Sequence, residues 1–179
     1  MKPHHSTQPL PNVLPEETRL GRTALRVNDL DEMTEFYRDV IGLSMLRRSA
    51  TSAVLGVENA SLLVLDEDEG ALERHSSSAG LFHNAFRVLS REALGDALAR
   101  IRAHWQLGGA SDHGVSEALY LSDPEGNGIE IYRDFPREEW PIAADGSVRI
   151  GTYPLDIDPI EAVATGTAKA PAGTDVGHV

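Results

Sequence analysis

A short apolar pattern occurs twice in this chain, and its recurrence constrains the fold more than any other feature. Thr23-Ala24-Leu25-Arg26-Val27 returns as Asn84-Ala85-Phe86-Arg87-Val88, an offset of 61 residues (84 − 23). Each copy reads as a strand, and each is followed by a helical pattern. The first helix is expected from near Leu30 to Ile41, capped by Asn28 or Asp29, with Met33, Phe36, Tyr37 and Val40 on one face. Gly42 is placed to stop it. The second is expected from near Arg91 to His104, capped by Ser90, with Leu94, Ala97, Leu98 and Ile101 as its apolar stripe. Short strand-like pieces follow each helix: Ser44–Arg48, Ser52–Leu55 and Ser61–Leu65, then Gly109–Ser111, Glu117–Leu121 and Gly128–Tyr132. The chain therefore reads βαβββ twice, over about residues 19–66 and 80–135. A repeated unit that cannot bury its sheet face alone pairs with its copy. The expected class is α+β.

The second copy ends in a strand, a tight turn and a strand. Leu119-Tyr120-Leu121 is a β-type run, and Asp123-Pro124-Glu125-Gly126-Asn127-Gly128 is a cluster of turn formers. In the closing strand Ile129 and Ile131 face one way and Glu130 the other. A carboxylate held between apolar neighbours is costly to bury unless a positive group meets it. That group is either a metal ion or a basic side chain.

Composition narrows the partners. At 179 residues one domain with tails is the default. No run of 18 apolar residues is present, so no membrane span is expected, and residues 1–6 lack the apolar stretch of a signal peptide. The chain has no cysteine, hence no disulfide framework. A net charge of −12 argues against nucleic acid and anionic membranes as partners. Arginine outnumbers lysine 14 to 2, a balance that suits either salt adaptation or an ordinary acidic surface. The cytoplasm is the simplest location.

The ends are of a different character. Residues 1–18 read as a flexible tail, in which His4 and His5 are able to bind stray metal. Residues 136–179 read as an arm, with Glu138 to Trp140 as a docking anchor, then an Ala-, Gly- and Pro-rich linker. Gly173 to Val179 looks like the first strand of a further module. His75 and His104 have no motif around them and are expected at the surface. The run Asp66-Glu67-Asp68-Glu69 lacks the spacing of a calcium loop and is expected to be solvated.

The series His113, Leu119-Tyr120, Asp123-Pro124-Glu125-Gly126 and Glu130 resembles the signature of extradiol ring-cleavage dioxygenases of the vicinal oxygen chelate (glyoxalase/bleomycin resistance/dioxygenase) superfamily. Ala24 to Val27, Asp29-Leu30 and Phe36 to Leu43 are similar to the opening of one of its modules. The resemblance covers about residues 20–135, and the chain resembles the amino-terminal half of two-domain proteins similar to catechol 2,3-dioxygenase. It implies two paired modules forming one cup-shaped mixed sheet with helices outside. It also implies four metal-ligand positions, on the first and last strand of each module. Extradiol dioxygenases fill three with two His and one Glu, which hold Fe(II) or Mn(II) and leave open positions. Here the four positions read Arg22, Leu63, His83 and Glu130. Arginine stays protonated, so the preferred expectation is an Arg22–Glu130 ion pair with His83 nearby, in a degenerate site; the alternatives are a residual or substrate-completed site for Fe(II) or Mn(II), and a slip in the alignment of the four positions. His178 would be the first ligand of a missing carboxy-terminal domain. His113 and Tyr120 match positions that contact substrate; the plain alternative is an exposed loop and a packed ring.

The expected function is thus a dioxygenase-like domain that supports a catalytic half without being catalytic itself. A metal-free protein that binds or sequesters a small aromatic ligand is the alternative. The expected partner is the missing domain or a second copy of the chain.

Overall fold

The computed structural model describes residues 14–15, 18–68, 70–71 and 80–179. His4, His5 and His75 lie outside the described residues. The first repeat folds as β1 (Thr23–Val27), α1 (Leu30–Phe36), a π-helical turn (Tyr37–Ile41), β2 (Ser44–Arg48), β3 (Ser52–Val57) and β4 (Ala60–Glu67). The second gives β5 (Asn84–Arg87), α2 (Arg91–His104), β6 (Gly109–Asp112), β7 (Ser116–Ser122) and β8 (Gly128–Asp134). The expected βαβββ order therefore stands in both. Residues beyond 135 add β9 (Tyr153–Pro154), α3 (Asp158–Glu161) and β10 (Asp175–His178).

The helices start where their caps allow. The Asp29 carboxylate accepts from the Glu32 backbone N–H at 2.8 Å, and the Ser90 hydroxyl accepts from that of Ala93 at 3.2 Å. Gly42, at φ 88°, takes the left-handed conformation that ends the π-helical turn. Arg100 braces that end, its guanidinium donating to the carbonyls of Val40, Ile41 and Thr167. Leu94, Ala97, Leu98 and Ile101 are fully buried, in one core with Met33, Phe36 and Tyr37 of the first repeat.

The strands form two mixed sheets that do not close into a barrel, consistent with the expected cup. The first has the order β1-β4-β3-β2, the second β10-β5-β8-β7-β6-β9. β1 runs parallel to β4 and β5 parallel to β8, as a repeat requires. β1 is an edge of the first sheet, and the Asn84 amide donates to the Thr23 hydroxyl at 2.8 Å between β5 and β1. The place beside β5 is taken by β10, antiparallel.

The segment expected as a linker lies against the domain at several points. β9 pairs with β6, and Ile160 of α3 is fully buried. The Asp96 carboxylate of α2 accepts from the backbone N–H groups of Thr165 and Gly166 at 2.6 and 2.7 Å. The Trp140 indole donates to the Phe135 carbonyl at 2.9 Å. No helix among the described residues is long and apolar enough to cross a membrane.

Candidate metal centre

Register determines what meets what on one face of the second sheet. Directly paired residues share a face, so His178, Ala85, Glu130 and Tyr120 form one row across β10, β5, β8 and β7. His83, two residues before Ala85, adds a second imidazole on the same side. Ala85 is fully buried and small, which lets His178 and Glu130 meet across it.

The result is a compact donor set. His178 Nε2 stands 3.0 Å from Glu130 Oε2, His83 Nε2 stands 3.1 Å from the same oxygen, and the two ring nitrogens are 2.8 Å apart. Three neighbouring ligands of an octahedral ion with bonds of about 2.1 Å stand about 3 Å apart. Two imidazoles and one carboxylate on one face are the donor set of open-sided Fe(II) sites. The residues therefore fit a divalent metal. Glu130 is only 4% exposed, whereas the His178 side chain is 46% exposed. Burial lowers the His83 pKa from its usual value and His178 adds to the fall, while Glu130 opposes it. The neutral ring so favoured is the form that binds metal.

A chain of hydrogen bonds leads outward. The Tyr120 hydroxyl lies 3.2 Å from Glu130 Oε1 and 2.8 Å from His113 Nε2, and His113 Nδ1 lies 2.6 Å from the Gly151 carbonyl oxygen. A carbonyl only accepts, so Nδ1 carries a proton. Burial, and then the charge of Glu130, raise the Tyr120 pKa, so it remains a hydroxyl. His113 is thus partly buried and bonded rather than loose in an exposed loop.

Several expected positions shift. Arg22 is exposed, and among the described residues no ion pair joins it to Glu130; His83 and His178 are the basic side chains that meet that carboxylate. The cause is topological: Arg22 precedes β1, and β1 does not flank β5. Leu63 does not occupy the fourth ligand position either. Ala24 pairs with Val64 as Ala85 pairs with Glu130, so Val64 stands there and Leu63 points into the core. His178 was assigned to a different site. Its signal was present in Gly177-His178-Val179, which looked like a first strand. Asp68 lies 3.9 Å from Arg26, and no calcium-type cluster forms among the described acidic residues.

Comparison with known proteins finds relatives in sequence and in fold. The Glyoxalase/Bleomycin resistance protein/Dioxygenase superfamily profile matches residues 19–131. A catechol-2,3-dioxygenase of Bacillus subtilis (strain 168) is 38% identical over 168 residues, covering 92% of this chain and 59% of that protein. Biphenyl-2,3-diol 1,2-dioxygenase 3 of Rhodococcus globerulus is 30% identical over 120 residues, covering 65% of this chain and 63% of the relative. The chain thus spans about three-fifths of the length of these curated relatives. Among solved structures, a glyoxalase/dioxygenase from Nostoc punctiforme shares the fold at a TM-score of 0.58 and 20% identity, over 69% of this chain and 97% of that one.

Proposed function

The chain belongs to the Glyoxalase/Bleomycin resistance protein/Dioxygenase superfamily, and from that premise we propose that His83, Glu130 and His178 hold a divalent metal for extradiol-type ring cleavage. Fe(II) or Mn(II) suits this donor set. The observation that carries the reading is the meeting of two imidazoles and one carboxylate, with separations of 2.8 to 3.1 Å. When bound, such an ion supplies open coordination positions and the redox capacity for O₂ to react with a catechol.

The remaining steps belong to this chain's own side chains. His113, fixed at Nδ1 by the Gly151 carbonyl, presents Nε2 toward Tyr120. With the ring neutral, Nε2 accepts the single Tyr120 proton, and Glu130 Oε1 loses that donor. With the ring protonated, Nε2–H donates to the Tyr120 oxygen and frees the hydroxyl to donate to Glu130. The pair therefore stores or delivers one proton beside the carboxylate. Ala85, Ala118 and Tyr132 form a small apolar cluster on the same face, against which Tyr120 packs.

A supporting, non-catalytic half is the second reading, and Arg22 and Val64 favour it. They leave the first repeat without the ligand types of the second. Here the strand that carries His178 belongs to a further module, and the working protein is longer or assembled from copies. A metal-free binder of small aromatic molecules is the third.

Elemental analysis separates these readings. A version lacking His4 and His5 is incubated anaerobically with Fe(II) and Mn(II), then freed of loose ions. About one equivalent of metal is expected, lost on His178→Ala. Catechol-dependent O₂ uptake is the next assay. A chain that retains no metal overturns the first reading and leaves the other two.

A further inference from the structure

The third ligand is the least anchored of the three. His83 adjoins β5 and Glu130 lies within β8, in the interior of the second sheet, whereas His178 ends a four-residue strand at its edge. The β10–β5 register shifts between Val176 and His178, so Gly177 is an extra residue that turns His178 toward the face that carries Ala85 and Glu130. A side chain at Gly177 would collide with the Tyr132 hydroxyl. Val176, 3% exposed, is the apolar foot of the strand.

One charged contact grips β10 directly. Arg87 Nε donates to Asp175 Oδ1 at 3.0 Å and Nη2 to Asp175 Oδ2 at 2.6 Å, a two-pronged pair. Nη1 of the same guanidinium reaches Asp134 Oδ2 at 3.2 Å, at the end of β8. Arg87 therefore ties β10 to the strand that carries Glu130. Asp175 and His178 lie on the same face, on either side of the register shift.

Resting on the reading of His83, Glu130 and His178 as a metal centre, we infer that Arg87 and Asp175 are positioning residues for His178. The pair holds β10 in register so that the third ligand meets the other two. Neither residue touches the metal. The coupling runs both ways: an ion that joins His178 to Glu130 also fastens β10 to the sheet.

The probe is Co(II) alone, whose visible absorption reports both affinity and ligand geometry. Asp175→Asn and Arg87→Gln are each expected to weaken binding by about tenfold or more, the range for groups that orient metal ligands. Asp134→Asn, which touches the same arginine but not β10, is expected to bind within about twofold of wild type. Arg87→Lys, which keeps charge but loses the fork, is expected to fall between. The swapped pair Arg87→Asp with Asp175→Arg is expected to recover part of the loss and the wild-type absorption band. Metal is also expected to slow amide exchange at residues 175–178 in wild type more than in Asp175→Asn. Melting temperatures show that each variant is folded; if Asp175→Asn is not, Arg87→Lys carries the test. Wild-type affinity and spectrum in Asp175→Asn and Arg87→Lys, with wild type binding one equivalent, overturns the positioning role alone. No cobalt binding by wild type overturns the metal centre, and the positioning role with it.

Discussion

The row His178, Ala85, Glu130, Tyr120 depends on one methyl group in its middle. Ala85 is fully buried between strands whose side chains meet above it. Ala85→Leu is expected to wedge His178 away from Glu130. Overpacking should cost about 1–3 kcal/mol of stability, measured by urea unfolding, and Co(II) affinity should drop by about tenfold or more. Unchanged affinity would mean that the two ligands do not need to meet across that position. At this scale the sequence pointed to part of the candidate site. His83 and Glu130 were legible because a repeat and a turn motif flank them. His178 was legible as a ligand type but not as a partner of these two, because the choice of sheet edge is tertiary. The slip from Val64 to Leu63 has a simpler cause. Leu62-Leu63-Val64-Leu65 is apolar throughout, so nothing in it shows which residues face the core, and one residue of slip exchanges the faces.

Among the elements, the β7–β8 turn does more than reverse the chain. The Glu125 carboxylate accepts from the backbone N–H groups of Asn28 and Asp29 at 2.6 and 3.2 Å, where α1 begins. Asp123 accepts from the Tyr37 hydroxyl at 3.0 Å and from Asn127, so one turn clasps the first repeat at two points. Burial raises the Asp123 pKa above the usual carboxylate value, partly offset by the bonds from Asn127 and Tyr37. The folded state thus holds that proton more tightly than the unfolded chain. Its contribution to stability is complete below the unfolded value of about 3.9 and is lost as pH rises through the folded one. Relative to Asp123→Asn, wild type should lose stability as pH rises above the ordinary carboxylate value of about 3.9, measured by urea unfolding. Parallel pH profiles would refute this. The turn itself was plain in the sequence. Strand and helix limits were also close, because turn formers and caps punctuate them; α2 matches end to end. The π-helical turn at Tyr37–Ile41 was not legible, since the same apolar spacing serves an α-helix.

For the whole molecule, the second sheet owes both of its edges to residues beyond 135. β9 lies outside β6 at one end and β10 outside β5 at the other. Open edges invite pairing with other chains. A version ending at residue 135, which also lacks the proposed ligand His178, is therefore expected to self-associate, seen as higher-order species in size-exclusion chromatography with light scattering. A monodisperse truncated protein would show that the edges are harmless. That the repeats pack together was legible from their periodicity. That the late segment returns to close the sheet was not, because an Ala-, Gly- and Pro-rich stretch reads as a spacer until its contacts are known. The same closure sets a timetable for biosynthesis. Forty-four residues (178 − 134) separate the end of β8 from His178, so at ribosomal speeds the second sheet waits about 2–9 s for its last strand. During that interval the nascent protein has His83 and Glu130 but not His178, and an unguarded flank, so the proposed donor set is completed only late in its maturation.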